Sequence, residues 1–175
     1  MNKGNYSVDI LTNNSIFTID DTSVNERGYD LLTFGYPGVN LLEIRTEELS
    51  TTIKDIDCVY CKDMVEKEFE IKKENSELEK LEYLNYVPFS ETYDEETGYR
   101  GDFTLYFDRN NLNIVFDSPV GENLASYVYE EDRVAYYLTK HSELLCIQIK
   151  DLNEQEFESL RSKKKAQEDS KSKIR

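Results

Sequence analysis

Val134-Ala135-Tyr136-Tyr137-Leu138 and, a short turn later, Leu144-Leu145-Cys146-Ile147-Gln148-Ile149 decide how this chain folds. Both runs are too short for an ordinary helix, rich in aliphatic and aromatic residues, and bounded by polar or charged turns. They read as neighbouring strands. Working outward, residues 112–117 and 124–130 have the same character, separated by Asn, Gly, Pro and acidic residues. Short strands at this spacing predict an antiparallel meander.

Residues 87–93 and 99–107 predict two more strands, joined through Asp94-Glu95-Glu96-Thr97-Gly98. At the start of the chain, 6–11 and 15–20 predict a hairpin around Asn13-Asn14, because Asn tolerates left-handed turn conformations. Residues 29–34 and 39–45 predict a second pair of strands about the turn Pro37-Gly38. Ile56, Cys58 and Tyr60 alternate with Asp55, Asp57 and Val59, as in a half-buried strand. Residues 65–71 alternate as well, with Glu66, Glu68 and Glu70 on one face; a helix through Met64, Ile71 and Leu78 competes with that reading.

Two helices complete the expectation. Ser76 and Glu79 form a capping box ahead of the stripe Leu78, Leu81 and Leu84, predicting a short middle helix over 76–84. Asn153 and Glu156 form a second box, with Leu152 placed to staple onto Phe157, predicting a C-terminal helix. Its acidic residues lie near its start and Arg161 to Lys165 near its end, as the helix dipole favours. The expected fold is α+β: a mainly antiparallel β-sheet with a short middle helix and a C-terminal helix. Residues 1–160 form one acidic β-rich domain, with candidate subdomains 1–61 and 87–160; 161–175 form a basic helix end and a flexible tail beyond Ala166.

Three short matches in the same order suggest that one β-meander occurs twice. Asn13-Asn14-Ser15-Ile16 resembles Asn110-Asn111-Leu112-Asn113, Asp21-Thr22-Ser23-Val24 resembles Asp117-Ser118-Pro119-Val120, and Leu41-Leu42-Glu43-Ile44 resembles Leu144-Leu145-Cys146-Ile147.

Charge bounds the function. Residues 1–160 hold 14 Lys and Arg against 34 Asp and Glu, a net of −20, and 161–175 hold 7 against 2, a net of +5; the chain carries −15. So acidic a body repels nucleic acid and anionic membranes and attracts basic surfaces. No apolar run approaches the roughly 20 residues that span a bilayer, and the opening residues Met1 to Tyr6 lack the apolar core of a signal peptide. A cytoplasmic location is expected. Three Cys, an odd number, fit reduced thiols better than a disulfide framework.

Reaction chemistry finds little to build on. Cys58-Val59-Tyr60-Cys61 with His141 and Cys146 would supply four zinc ligands. The second pair has unusual spacing, and a regular strand sends Cys58 and Cys61 to opposite faces. No metal and no cofactor are expected. His141 falls in a predicted surface turn, and the glycines form no phosphate-binding pattern. Asp94-Glu95-Glu96, Asp20-Asp21 and Glu130-Glu131-Asp132 are of the type that ligates a hard cation, but each sits at a predicted turn and none has the spacing of a calcium loop. Nine of the 13 Tyr lie between Tyr83 and Tyr137, interleaved with acids, and Tyr supplies contact area at low entropic cost.

Phe107-Asp108-Arg109-Asn110-Asn111-Leu112-Asn113-Ile114 resembles the opening of a family of small bacterial β-rich domains of unknown function: aromatic-Asp, a turn, then Leu-x-Ile. That family ends in a Gly-Ile-Glu-Ile-like strand, matched here by Leu145-Cys146-Ile147-Gln148-Ile149. The resemblance covers residues 105–151; Cys146 replaces the family's glycine, and the turn after Asp108 is shorter. Members often stand beside toxin genes, so the resemblance implies an antitoxin-like context and carries no catalytic residues.

The expected function is a non-enzymatic module that covers a basic protein such as a nuclease or toxin, as an antitoxin, immunity protein or phage anti-defence inhibitor. Contact is expected through Asp94, Glu95, Glu96, Tyr99, Glu130, Glu131 and Asp132, with no direct contact to nucleic acid or membrane. An enzyme with a dispersed carboxylate or metal site is the alternative, and a self-associating structural protein or homo-oligomer that uses its sheet edges is a third.

Overall fold

The computed structural model describes residues 6–21, 29–47, 53–84, 96, 98–117 and 123–172. Its strands are β1 (Tyr6–Asp9), β2 (Phe17–Asp21), β3 (Tyr29–Tyr36), β4 (Asn40–Glu47), β5 (Ile53–Cys61), β6 (Met64–Glu66), β7 (Glu79–Lys80), β8 (Phe103–Phe107), β9 (Leu112–Phe116), β10 (Tyr127–Glu131), β11 (Val134–Leu138) and β12 (Leu144–Ile149), followed by the helix α1 (Glu154–Ser172). The α+β, β-rich expectation holds.

The strands form two sheets, ordered β1-β2-β5-β4-β3 and β6-β8-β9-β12-β11-β10-β7. Without its edge strands β6 and β7, the second sheet reads β8-β9-β12-β11-β10, the connection order of the first. In each, a hairpin is followed by a three-strand meander whose last strand inserts antiparallel beside the second strand of the hairpin. The unit does occur twice. The first sequence match falls at equivalent points, the entry of β2 and of β9; the second lies outside the described residues except for Asp21 and Asp117. The third does not, since Leu41 to Ile44 lie in β4 whereas Leu144 to Ile147 lie in β12, whose counterpart is β5.

Alternation places the core. Along β4 every second residue from Asn40 to Thr46 is buried, as a sheet with one covered face requires. Phe17, Ile19, Leu42, Ile44 and Ile56 of the first sheet join Phe103, Leu105, Phe107, Ile114 and Ile147 of the second in one cluster, with Phe157 and Leu160 of the helix. Completely burying side chains of this size contributes about 1.5–3 kcal/mol each. The rings of Phe34 and Phe116 meet edge to face across the two sheets at 5.2 Å.

The Pro37-Gly38 turn closes with Val39 N–H donating to Tyr36 C=O, and Gly38 adopts φ 76, as the third position of a type II turn requires. Gly35 has φ 128 and donates to Gly101 C=O at 2.6 Å, while a Cβ there would lie 2.0 Å from the Asn40 carbonyl oxygen. Asn40, itself buried, ties the sheets together: its amide nitrogen donates to Asp63 at 2.8 Å and Asp102 at 2.9 Å, and its oxygen accepts from Lys62 N–H at 2.9 Å. Burial, then the charges of Asp102 and Asp63, holds the nearby Asp117 carboxyl above its ordinary range.

The middle helix is not formed. Residues 76–84 bend at Ser76, Glu77 and Glu82 and include β7, which pairs parallel with β10. The amides of Glu79 and Leu81 donate to the carbonyls of Ser126 and Val128, and Leu78 packs near Ala125, Leu145 and Cys146. A helix of two turns is marginal by itself, and a sheet edge offers the same amides partners together with apolar contact. Likewise, of the strand expected over 65–71 only β6 pairs, parallel to β8. Residues 67–78 then cross the outer face of the second sheet as a strap. Phe69 stacks on Tyr106 of β8 at 5.1 Å, and Ile71 packs, with Val115 and Tyr137 of the sheet, against the cluster of Ala125, Leu145 and Cys146. The strand expected over 87–93 lies outside the described residues.

The C-terminal helix starts where the sequence signals it. Asn153 Oδ1 accepts from Glu156 N–H at 2.9 Å, and Glu156 Oε1 accepts from Asn153 N–H at 3.0 Å. Helix continues past Ala166 to Ser172, through residues of good helix propensity and a Lys164–Glu168 pair one turn apart. Its basic end is partly internal. Lys163 Nζ donates to the carbonyls of Ile10 at 2.7 Å and Ile16 at 2.8 Å, closing the β1–β2 loop. The Arg161 guanidinium pairs with Glu66 and lies over the Phe157 ring. No helix among the described residues is long and apolar enough to cross a membrane.

Candidate functional site

A carboxylate-lined face emerges from the register of the first sheet. Strand alternation that turns Phe17, Ile19, Leu42, Ile44 and Ile56 into the core turns their neighbours outward. Two cross-strand rows result. Asp20 stands opposite Asp55, Asp55 opposite Arg45, and Arg45 opposite Leu31. In the next row Thr18 stands opposite Asp57, Asp57 opposite Glu43, and Glu43 opposite Thr33. The rows lie roughly 7 Å apart along the strands and reach about 14 Å across four strands.

Arg45 Nε binds Asp55 at 2.7 Å. Asp20 does not escape its neighbours: burial, then the charge of Asp55, holds its carboxyl above the usual range despite Arg45, with Asp57 and Asp9 adding to the effect. Asp57 Oδ1 is buried and accepts no hydrogen bond from the described residues. Like charges directly opposite one another on a sheet destabilise it by a few tenths of a kcal/mol to about 1 kcal/mol per pair. Asp20 with Asp55 and Asp57 with Glu43 are two such pairs.

Tyrosine borders this face. Tyr60 stands opposite Leu41, and its hydroxyl accepts from Gly38 N–H at 3.3 Å. Tyr99 lies beside it: burial, then Tyr60 through charge and a hydrogen bond, and then Glu43 push the Tyr99 hydroxyl pKa up. The segment after it joins the β3 edge, with Arg100 N–H donating to Thr33 C=O at 2.8 Å.

Of the residues expected to bind a partner, Tyr99 therefore joins the face. Glu96 is exposed in a turn, and Asp94 and Glu95 lie outside the described residues. Glu130, Glu131 and Asp132 occupy the β10–β11 hairpin and are partly engaged within the molecule. Glu130 pairs with Lys150 at 3.8 Å, Glu131 accepts from the Tyr129 hydroxyl at 2.9 Å, and Asp132 takes φ 52 at the turn. Burial, then the bond to Glu131 and its charge, and finally the charge of Asp21 raise the Tyr129 hydroxyl to about 12. This places the hairpin near the end of β2, whereas Tyr99 sits at the β3–β4 side of the same sheet. Among the described residues, Tyr99 and the Glu130–Asp132 hairpin do not converge. Glu43, Asp55 and Asp57 went unrecognised in the sequence, and Asp20 drew notice only beside Asp21 in a predicted turn, because only strand pairing brings the four together.

The four candidate metal ligands do not converge either. A bulge at Val59, between the pairings Leu42–Cys58 and Leu41–Tyr60, returns Cys61 to the face that Cys58 occupies, so both are buried in the core, contrary to the regular alternation expected. Cys146 belongs to a separate cluster under the strap, and His141 is exposed in a turn. Burial raises all three thiols, Cys61 to about 12, so none is poised as a nucleophile. Among the described residues no group of three or more His, Cys, Asp or Glu is arranged to hold a metal ion.

Two cavities flank Ile71 beneath the strap. One, of about 500 Å³, is bounded by Leu78, Val128, Glu130 and Tyr137; the other, of about 460 Å³, by Phe69, Val115, Phe116 and Leu145. Mixed Lys and acidic side chains line both, so they carry no single sign of charge.

No protein-family model matches the chain, and no curated protein matches it.

Proposed function

We propose that this protein is a non-enzymatic binding module whose acidic sheet face covers a basic, nucleic-acid-binding protein, in the manner of an antitoxin, an immunity protein or a phage anti-defence inhibitor. The observation that carries this reading is the pair of cross-strand rows holding Asp20, Asp55, Asp57 and Glu43 around one arginine. A sheet built only for stability places opposite charges in such pairs. Carboxylates a few ångströms apart imitate the phosphates that the partner's Lys and Arg would otherwise hold, and the field of the body speeds encounter. The resemblance of residues 105–151 to domains found beside toxin genes points the same way, and a cytoplasmic setting suits such a partner.

Association with the basic nucleases and toxins of the same cell tests the reading, measured by stopped flow across a salt series. The expected result is a fast, salt-sensitive on-rate that Glu43→Lys with Asp57→Lys slows at least tenfold. Direct binding of DNA or RNA through residues 161–175, or turnover of a substrate without a partner, overturns it.

A further inference from the structure

We infer that the trough beneath the strap of the second sheet binds an elongated amphipathic anion, a straight-chain carboxylate, whose chain displaces Ile71. The site is separate from the acidic face of the first sheet and does not depend on it. Strand pairing lays out its floor. Val115 of β9 stands opposite Cys146 of β12, Cys146 opposite Tyr137 of β11, and Tyr137 opposite Val128 of β10. This single row crosses four strands, a reach of about 14 Å. The cavity of about 460 Å³ lies at its Val115 end, and the cavity of about 500 Å³ at Tyr137 and Val128. Both fall within the roughly 300–1,000 Å³ of small-molecule sites. Ile71 lines both cavities and packs against the cluster that holds Cys146, the middle of the row. The two voids are therefore halves of one trough, with Ile71 as the plug between them.

The plug is lightly held. Ile71 is only half-buried. Before it Lys67 N–H donates to Phe107 C=O, and after it Ala125 N–H donates to Lys72 C=O. Among the described residues, 68–71 make no backbone hydrogen bond to the sheet, so side chains hold this stretch down. Such a segment opens at lower cost than a laddered strand. Charge at one end selects the ligand. Lys73 and Lys80 line the larger cavity, and among the described residues neither ammonium group has an ion-pair or hydrogen-bond partner. Of the two acids on the same wall, Glu130 is paired with Lys150 at 3.8 Å, and Glu77 pairs with neither lysine. Two free ammonium groups beside an apolar floor of Leu78, Val128 and Tyr137 seat one anionic head and the start of its chain. The smaller cavity brings Glu70 and Asp117 to its rim beside Lys72, so the far end offers an anion no comparable seat.

Titration of the isotope-labelled chain with sodium decanoate below its micelle-forming concentration, followed by amide chemical shifts, tests this. Saturable shifts at Val115, Val128, Tyr137, Cys146 and strap residues 69–78 are the expected result. Decyltrimethylammonium, which the lysines repel, should bind about tenfold more weakly. Lys73→Gln together with Lys80→Gln should weaken decanoate about fivefold, while Lys165→Gln leaves it unchanged. Ile71→Ala should tighten it about fivefold, because the chain no longer displaces a half-buried side chain. Melting curves check each fold; the lysine pair is exposed, so its substitution stays informative if Ile71→Ala fails to fold. No saturable shift, or shifts centred on the first sheet, overturns the site. Equal or tighter binding of the ammonium compound overturns the anionic head, and unchanged affinity in Ile71→Ala overturns the plug.

Discussion

Glu156→Ala should be among the most damaging single changes at the C-terminal helix. The Glu156 side chain is only 6% exposed and meets Arg133 Nη2 with both oxygens, at 2.9 and 3.0 Å. Arg133 also donates through Nε to Lys150 C=O at 3.0 Å, so it cannot swing away freely. The carboxylate additionally caps Asn153 N–H. Removing one member of a buried pair costs about 3–5 kcal/mol, because the other charge is left without a partner. Arg133 is 30% exposed and recovers some hydration, so the lower end applies, about 3 kcal/mol. Glu156→Gln keeps the capping bond and the volume but loses the charge, and should cost about 1–1.5 kcal/mol. Urea denaturation gives both values, with amide exchange over residues 154–160 as the local readout. If Glu156→Ala and Glu156→Gln cost the same, the capping and packing contributions assigned to this side chain are wrong. If both cost under about 0.5 kcal/mol, within the range of ordinary surface substitutions, the ion pair does not anchor the helix.

Gly35→Ala should cost at least about 3 kcal/mol, since φ 128 and a backbone oxygen 2.0 Å from the new Cβ leave neither conformation nor space; soluble expression and a melting curve near the parent's would refute it. Lys163→Met should cost about 1–2 kcal/mol and quicken amide exchange in the β1–β2 loop, because two carbonyls lose a donor; unchanged exchange there would show that the loop is held otherwise. Asp20 and Asp117 have folded pKa values above their unfolded ones, so each favours the fold in its protonated form, and that contribution is lost as pH rises through the folded pKa. Asp117→Asn should therefore raise the melting temperature at pH 7, and by less as pH falls toward the ordinary carboxyl range; a gain that grows on acidification would reverse the sign assigned to the repulsion.

Features carried by adjacent residues were legible in the sequence. The Asn153–Glu156 box, the Pro37-Gly38 turn and the strand that follows it each rest on spacings of a few residues, and the structure realises all three. Ser76 and Glu79 carried an equally good local signal and formed no helix. What decided there was tertiary, namely free carbonyls at Ser126 and Val128 and an apolar seat for Leu78. The candidate site was hidden for the same reason. Asp20 meets Asp55, and Asp57 meets Glu43, only through pairings among β2, β5 and β4. Acids bunched in sequence, such as Glu130, Glu131 and Asp132, drew attention instead, although two of them are engaged with Lys150 and Tyr129. The bulge that brings Cys61 back to the core likewise leaves no trace in a period-two pattern.

The strap also determines which half of the chain would show bare sheet edges. β6 and β7 lie in sequence between the two five-strand units, yet they serve as the outermost strands of the second. Severed from them, the second unit would expose the backbone donors and acceptors of β8 and β10 along both margins, the arrangement that templates edge-to-edge aggregation. The first unit borrows nothing comparable from β6 or β7. Two halves with one blueprint thus carry unequal edge hazards, although both contribute to one core and neither keeps that core covered without the other.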